Sequence, residues 1–272
     1  MRGVLFGLAG LLVATQAHAA DYLRGSVYEA PPPPAEEYNW AGIYAGGQAG
    51  LTSANYGFKD ASRDLVARML RNTTIEKEAA ISELADLPGK DTRAGSYGAF
   101  FGYNTQWGKA VLGLELNYNR TSQGATSTDS IGRAFTTSDG YTYNVFVNST
   151  ASMKLIDYGT LRGRFGYAWG WVMPYAMLGV AAARADISRN VSVDMTFFDA
   201  TGQGRPGGSF SDGVSDVKNN QILLGYMTGI GVDVGLMPGV FVRAEYEFIQ
   251  LGQINGIGAQ ISTARVAAAL KF

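Results

Sequence analysis

The sequence predicts an all-β chain: an eight-stranded, antiparallel, up-and-down transmembrane β-barrel with a short helical insertion in its first surface loop. Apolar residues alternate with polar residues or glycine in eight segments, which is the period of strands with two different faces. The composition combines 36 glycines with 15 tyrosines and 13 phenylalanines. After the N-terminal signal, no run approaches the roughly 18 apolar residues that a spanning helix needs. A closed barrel is the other way to pair every backbone group inside a membrane.

Residues 1–19 are typical of a cleavable signal peptide. A positive start is followed by an apolar core over residues 3–13 and by a small-x-small cleavage site at Ala17 and Ala19. This core is too short for a spanning helix. The sequence therefore predicts export across the inner membrane and removal of the first 19 residues.

The mature chain contains neither histidine nor cysteine, because His18 is the only histidine and lies in the signal peptide. We therefore expect no cofactor, no zinc site of the Cys/His type and no Ser-His or Asp-His catalytic apparatus. A glycosidase that uses carboxylates alone is left open by this argument. The net charge of −1 provides no basic field for nucleic acid. The chain is predicted to be neither an enzyme nor a nucleic-acid-binding protein.

Residues 20–40 form a polar leader that contains the run Pro31–Pro34. Proline-rich segments adopt extended polyproline II structure, which favours a spacer in the periplasm. Recognition by a proline-binding partner is the alternative. The barrel itself is predicted to occupy residues 41–272.

The eight alternating segments have one apolar face and one face of polar residues or glycine. A water-soluble barrel would bury its apolar face inside, but here that face carries the aromatic residues. Small and charged residues inside, with aromatic and aliphatic residues outside, are typical of membrane barrels. The apolar faces begin at Ile43, Tyr97, Leu112, Leu161, Ala176, Tyr226, Val242 and Val266.

Short and long connections alternate between these segments. Membrane barrels place short turns in the periplasm and long loops at the cell surface. With an even number of strands, both ends of the barrel chain are then predicted to be periplasmic. The short links cover residues 107–109, 169–173 and 235–239, and the long loops cover about 53–94, 122–153, 187–219 and 252–260.

The first long loop has helical signals. Residues 60–70 and 73–84 are predicted helices, the second opened by a capping box from Thr73 to Glu76. We interpret these helices as a lid that packs on the loops, with a partner-binding helix as the alternative.

Asp139-Gly140 in the second long loop is a hairpin signal and could add two strands, giving ten. The alternating face there is polar, with Thr136, Thr142 and Asn144. We therefore prefer two existing strands that project above the membrane.

Nine charged residues fall on predicted interior positions. An eight-stranded interior is just wide enough to be filled by side chains, and the near-balance of signs favours a paired network. A polar constriction that lines a conduit is the alternative. Distances from the turns suggest that Glu115, Arg164 and Glu245 meet within this network. The nine residues are Glu115, Arg162, Arg164, Asp233, Arg243, Glu245, Glu247, Arg265 and Lys271.

Four stretches resemble the alphaproteobacterial small outer-membrane barrels, the outer-membrane immunogenic or porin-like family. They are residues 40–50 (WAGIYAGGQAG), 159–168 (GTLRGRFGYA), 242–248 (VRAEYEF) followed by Leu251-Gly252, and 270–272 (LKF). The resemblance implies a barrel like the membrane domain of outer membrane protein A, located in the outer membrane of a Gram-negative bacterium. The helical 53–94 insertion and the long second and third loops depart from that pattern.

The resemblance also implies partners. Leu270 and Phe272 resemble the terminal signal that the barrel-assembly machinery reads, and the outer surface is expected to contact outer-membrane lipid and lipopolysaccharide. Loops carry the specific functions of such proteins, so a host or surface ligand is expected at residues 53–94 and 122–153. We expect a structural, surface-exposed protein that contributes to envelope integrity and to host or environment contact. A small passive porin and an adhesin are the alternatives.

Overall fold

The computed structural model describes residues 38–272; the predicted signal peptide and residues 20–37 of the predicted leader lie outside the described residues. Eight antiparallel strands form a closed barrel in sequence order. This confirms eight strands and excludes ten. No described helix has the length and hydropathy of a membrane span. The strands are β1 (Gly42–Gly57), β2 (Lys90–Trp107), β3 (Ala110–Thr136), β4 (Tyr141–Tyr167), β5 (Val172–Asp199), β6 (Gly208–Met237), β7 (Val240–Leu251) and β8 (Gly258–Lys271).

The two central hairpins are much longer than the sequence suggested. β3 and β4 pair up to Thr136 and Thr142, and β5 and β6 pair up to Phe197 and Gly208. The predicted loops 122–153 and 187–219 are therefore mostly strand, which corrects that expectation. Their inner faces are apolar and buried, with Val147 as an example, so these segments form a core instead of irregular loops. The Asp139-Gly140 turn joins two existing strands, as preferred.

The upper parts of β3 to β6 rise beyond the other four strands. We call them the projecting zone and define it as residues 123–136, 141–155, 187–199 and 208–218. The remainder of the barrel wall is the membrane zone, because its outer face carries exposed apolar side chains such as Leu116 and Phe165. The barrel has a short-turn end, near both termini of the described chain, and a hairpin end at the tip of the projecting zone.

Bulges separate the two zones on three neighbouring strand pairs. The register shifts between Arg120 and Gln123, between Leu155 and Asp157, and between Ala185 and Ile187. The extra residue on β4 is Ile156, and it changes which side chains point inward. An added residue reverses the alternation of a strand.

The change of face is visible in the burial of β4. Below Ile156 the even-numbered Tyr158, Thr160 and Arg162 are buried in the interior, whereas above it the odd-numbered Leu155 and Met153 are buried. A second change occurs on β6, where Asn220 adopts a positive φ of 54°. The inward-pointing residues therefore change from even-numbered in the membrane zone to odd-numbered in the projecting zone on β4, and from odd-numbered to even-numbered on β6.

The segment 58–89, which we call the lid segment, fills the projecting zone. It contains α1 (Arg63–Met69), α2 (Thr74–Ala79) and a 3-10 turn (Ile81–Glu83). Leu65, Val66, Ile75 and Ile81 are at most 1% exposed and belong to the same buried apolar cluster as the inner face of β4 and β5. The helices therefore form a lid, as interpreted from the sequence.

The second helix is shorter than predicted because Ala80 adopts the left-handed conformation and ends it. The Thr73 hydroxyl accepts a hydrogen bond from the Glu76 amide at 3.3 Å, so the predicted cap is present. The Glu76 carboxylate binds the backbone and hydroxyl of Ser82 instead of closing the capping box. It thereby holds the 3-10 turn against α2.

Polar contacts fix the lid segment to the sheet. The Ser127 hydroxyl on β3 donates to the carbonyl of Pro88 at 2.7 Å. On the opposite side, buried Arg189 of β5 donates to the carbonyl of Ala61 at 3.0 Å and to Asp64 at 2.6 Å. The lid segment is thus tied to β3 and to β5 of the projecting zone.

Candidate functional site in the barrel lumen

Eight charged side chains meet in the middle of the membrane zone. All are buried, and four of them (Glu115, Arg162, Asp233 and Glu247) have no solvent exposure. The strand register brings them together, because three oppositely charged pairs face each other directly across neighbouring strands. These pairs are Glu115 and Arg162, Asp233 and Arg243, and Glu245 and Arg265.

Arg162 lies at the centre of this lumen charge cluster. Its guanidinium group contacts Glu115 on the neighbouring strand. It also reaches across the lumen to Glu245 and Glu247 on β7, at 3.0 Å each. One arginine therefore ties three carboxylates from two strands.

The other three arginines complete the pairing. Arg243 binds Glu115 at 2.8 Å and Asp233 at 2.7 Å. Asp233 also receives Arg164 at 2.7 Å. Arg265 binds Glu245 at 2.6 Å and Glu247 at 2.8 Å.

Four carboxylates thus face four guanidinium groups, and every carboxylate contacts at least two arginines. A buried charge is costly unless it is paired and hydrogen-bonded, and here each one is.

One sequence-based expectation holds only in part, and a second is wrong. Arg164 does meet Glu115 in the cluster, at 3.7 Å, but it lies opposite Gly113 in the register, and Arg162 is the direct cross-strand partner of Glu115. Lys271 is separate from the cluster. Its ammonium group donates to the carbonyl of Ala41 at 3.1 Å, because the last residue of β8 lies at the short-turn end.

Two lumen tyrosines that sequence analysis did not select take part in the cluster. The Tyr44 hydroxyl donates to Glu115 at 2.8 Å and accepts from Arg164 at 2.8 Å. The Tyr175 hydroxyl donates to Glu245 at 2.5 Å, and its ring lies 3.8 Å beneath the Arg164 guanidinium. Tyr44 shares the polar face of β1 with Gln48, which was the available sequence signal.

Glycine makes room for both tyrosines. A Cβ atom at Gly102 would lie 2.4 Å from the Tyr44 hydroxyl, and a Cβ atom at Gly231 would lie 2.4 Å from the Tyr175 hydroxyl. Each glycine is the register partner of its tyrosine on the neighbouring strand, so each ring lies over the bare backbone of that strand. Glycine on the inner face is a packing requirement at these two positions.

Aromatic side chains close the short-turn end. Tyr38 packs on Trp40 and Trp171 with ring centroids 4.4 and 5.3 Å apart, and Trp40 meets the edge of Phe241 at 5.9 Å. Tyr38 and Trp40 are 4% and 1% exposed. Although we assigned both residues to the leader, the structure places them inside the mouth of the barrel.

Uncharged polar residues fill the lumen on the other side of the cluster. Gln48 donates to Asn117 at 2.9 Å, and Thr52 contacts Ser96 and Thr263 at 2.8 and 3.0 Å. Above them the lid segment occupies the projecting zone. In the described part of the chain, the interior is therefore packed with side chains along its length.

A family model of the outer membrane protein β-barrel domain matches residues 6–272. The chain belongs to this family. It is therefore an outer-membrane β-barrel protein, as the resemblance of its strand motifs implied.

The curated relatives are outer-membrane immunogenic proteins. The 25 kDa outer-membrane immunogenic protein of Brucella ovis is 24% identical over 254 residues, covering 92% of this chain and 89% of the relative. The 31 kDa outer-membrane immunogenic protein of Brucella melitensis is 24% identical over 259 residues, covering 94% and 89%.

Solved structures of outer-membrane barrels match this chain at lower sequence identity and with low TM-scores. Neisserial surface protein A is 14% identical with a TM-score of 0.36, covering 85% of this chain and 98% of that one. The attachment invasion locus protein Ail of Yersinia pestis is 11% identical with a TM-score of 0.31, covering 85% and 99%.

Proposed function

We propose that this outer-membrane barrel is a closed structural protein that holds a rigid sheet at the cell surface. It would contribute to envelope integrity and to contact with the host or environment. The observation that supports this role is the lumen charge cluster, whose eight charges are mutually paired and buried. Displacing Arg162 to open a path would leave three carboxylates without it, at a high cost in free energy.

The passive-porin alternative is tested by conductance across a planar lipid bilayer. A filled lumen should give no stable single-channel steps across many insertions. Reproducible steps would overturn the closed-barrel proposal. Their dependence on Trp40→Ala, at the short-turn mouth, would show whether ions pass through the lumen.

The proposed orientation places the hairpin end outside the cell, since short turns of such barrels are periplasmic. Protease added to intact cells should cut the loop 200–207, which carries Gly202 and Gly204 at positive φ and is largely exposed. Residues 20–37 should be spared. Cleavage of that leader in intact cells would reverse the topology.

An adhesin is the second candidate, and the projecting zone favours it because two long hairpins stand beyond the membrane zone. Shortening both hairpins by equal, register-matched amounts should leave the barrel inserted. Loss of adhesion to host cells in that variant would support the adhesin, and unchanged adhesion would exclude these hairpins.

We propose no enzymatic activity, since the mature chain has no histidine and the lumen carboxylates are engaged by arginine. Outer-membrane lipid, lipopolysaccharide and the barrel-assembly machinery are the proposed partners.

Leu270 and Phe272 are 56% and 77% exposed next to the β1–β8 seam, where an assembly factor could read them. Deleting Phe272 should lower the folded amount in the outer membrane at native expression, and unchanged assembly would contradict this role.

A further inference from the structure

The outer face of the projecting zone differs from every other surface of the barrel. Its strands present rows of hydroxyl and amide side chains that hydrogen-bond to each other. Thr128 and Thr150 are 3.2 Å apart, and Thr136 and Thr142 are 2.8 Å apart. Two large aromatic side chains, Phe146 and Phe198, interrupt these rows and are 43% and 51% exposed. An exposed aromatic ring on a polar sheet above the membrane zone is a candidate contact site for a ligand.

A shallow groove of about 580 Å³ surrounds Phe146. It crosses β3, β4, β5 and β6, and Gly132, Phe146, Asp194 and Ser211 face each other in one row of the register. Asn144 and Thr196 lie in the adjacent row. The groove is thus built from four strands of one sheet and includes no flexible loop.

Phe146 forms the floor of the groove. A Cβ atom at Gly132 would lie 3.4 Å from a ring carbon of Phe146, so the ring leans over the bare backbone of the neighbouring strand. A glycine next to an aromatic residue allows the ring to lie along the sheet. Almost half of its surface then remains available to a flat, weakly apolar ligand.

The rim of the groove offers hydrogen-bond donors and acceptors. Asp194 accepts a bond from the Ser211 hydroxyl at 2.6 Å, and its other carboxylate oxygen can accept further bonds. The Asn144 amide and the Thr196 hydroxyl can both donate and accept. Asp194 is the charged side chain in these two outward rows, because Arg133 faces buried Val145 in the register and so belongs to the other face of the sheet.

We propose that this groove binds a pyranose ring of an uncharged saccharide. A pyranose has an apolar face of C–H groups that fits the ring of Phe146 and an edge of hydroxyl groups that fits Asp194, Asn144 and Thr196. The negative charge of Asp194 disfavours a polyanion. The inference rests on the proposed surface role and specifies what that surface contacts.

The height of the groove excludes lipid chains as its occupant. Phe146 lies ten residues beyond the Ile156 bulge along β4, which is about 30 Å of strand at the usual rise per residue. Polysaccharide chains of the cell's own envelope and glycans of another cell can both reach this level. The chemistry of recognition is the same for both sources.

The groove is also held rigid. Arg205 donates to the carbonyls of Asp139 and Gly140 at 2.8 and 2.7 Å, and the Ala200 amide donates to Gly140 at 2.9 Å. These bonds join the tips of the two hairpins that carry the groove. A ligand would therefore not have to order the site when it binds, which favours affinity.

The test is a titration of the refolded protein in detergent, followed by saturation-transfer NMR and calorimetry. The probes are maltoheptaose, a dextran oligosaccharide, dextran sulfate, and the polysaccharide released from the cell's own lipopolysaccharide by mild acid. We expect at least one uncharged probe to bind with little dependence on salt, since the probe itself carries no charge. Binding of the released polysaccharide alone would identify the envelope as the source.

Matched variants locate the site. Phe146→Ala should weaken binding about tenfold, and Asp194→Asn about fivefold through loss of a charged acceptor. Phe198→Ala is the control, because Phe198 is 51% exposed on the same face but does not line the groove. Its binding should match that of the unmodified protein. The heat-dependent mobility of each variant on gels verifies folding.

Three results would overturn the inference: no binding of maltoheptaose, dextran or the released polysaccharide, binding of dextran sulfate alone, or binding that Phe146→Ala and Asp194→Asn leave unchanged. The conductance test of the closed barrel does not depend on any of these results. Failure of the saccharide site and failure of the closed lumen are therefore distinguishable.

Discussion

The four strands β3 to β6 run through both the membrane zone and the projecting zone, and their two faces have opposite polarity in the two zones. On β4 in the membrane zone, Leu161 points outward and is 46% exposed, while Arg162 points inward and is fully buried. In the projecting zone, Asn148 points outward and Val147 is fully buried inside. The medium outside the wall differs between the two zones, and the side chains follow it. Apolar residues face lipid in one zone and the lid segment in the other.

This contrast shows that alternation alone does not specify a membrane barrel. On β4 and β6 one extra residue exchanges the inward and outward faces at the boundary between the zones. Ile156 on β4 and the positive-φ Asn220 on β6 lie at that boundary. β3 and β5 keep odd-numbered residues inward in both zones, so only alternate strands of the four carry the exchange.

Deletion of Ile156 should have the largest effect. Without the extra residue, β4 can keep its register in only one zone, and the other zone would turn Val145 and Val147 outward. We expect the projecting zone to unfold while the membrane zone stays inserted. Limited proteolysis with mass spectrometry should then detect new cuts within 123–155 in a barrel that still shifts with heat on gels.

A matched deletion controls for the loss of a residue. Gln203 lies in the 200–207 loop, outside every strand, so its deletion changes no register. That variant should resist protease as the unmodified protein does. Equal resistance of the Ile156 deletion would show that the bulge can move and that the boundary is not set there.

Arg162→Gln should destabilise the membrane zone by about 3–5 kcal/mol, since it removes one partner from buried carboxylates. Its surface counterpart is Arg184→Gln, which breaks a pair with Asp157 whose arginine side chain is 46% exposed. That change should cost less than about 1 kcal/mol. Urea unfolding in lipid vesicles measures both.

The charge cluster also predicts coupling. Combining Arg162→Gln with Glu115→Gln should cost less than the sum of the two single changes, because either change breaks the same contact. Simple additivity would show that the two residues act independently and would remove the main support for a packed lumen.

Leucine-to-alanine changes compare an apolar side chain packed inside the protein with one that faces lipid. Leu65 on α1 is 1% exposed inside the projecting zone, and Leu65→Ala should cost about 2–5 kcal/mol of local stability. Leu116 is 59% exposed toward lipid, and Leu116→Ala should cost less because lipid replaces the lost contacts. Hydrogen exchange of the lid segment should respond to Leu65→Ala alone. A similar response to both variants would contradict the separation of the zones.

The stability of the hairpin tip at Asp139 should decrease in acid and should not change near neutral pH. Burial raises the pKa of Asp139, but hydrogen bonds from Thr137, the Tyr141 amide and the Tyr143 hydroxyl lower it below its usual value. A carboxyl whose folded pKa is lowered stabilises the fold above its unfolded pKa and loses that contribution as the pH falls. We expect no change between pH 7 and 5, and loosening of the tip below about pH 4.

This smallest effect is measured by an NMR titration of the Tyr143 ring. Asp139→Asn should abolish the transition, because an amide does not titrate in this range. A transition at neutral pH would show that a group other than Asp139 controls the stability of the tip.

Much of the membrane zone could be predicted from the sequence because its alternation is regular and its outer face is aromatic. The position of Glu115 and Arg162 on opposite strands was predictable, but their direct pairing was not. Counting residues from the turns fixes the register between β3 and β4 only to within one inward-facing pair. That count made Arg164, instead of Arg162, the expected partner of Glu115. The alternation of β1 places Tyr44 on the inward face, but its bonds to Glu115 and Arg164 could not be predicted, because a tyrosine carries no charge that would mark it as their partner.

The projecting zone was harder to predict. Its outer face of serine, threonine and asparagine resembles loop composition, so residues 122–153 and 187–219 were assigned to loops. The apolar inner face becomes meaningful only when the lid segment is placed against it. That segment lies more than 50 residues earlier than most of the chain it covers, and sequence periodicity carries no information on such contacts.

The projecting zone also determines what an antibody can recognise. The lid segment occupies the inner face of the four projecting strands, which leaves mainly their outer face and the tips accessible. Asn144, Thr196 and Ser209 are neighbours on that face but come from three different strands. An antibody against the folded protein would therefore read a surface that no single peptide reproduces. Serological detection with boiled protein or linear fragments would miss these epitopes, whereas intact cells would display them.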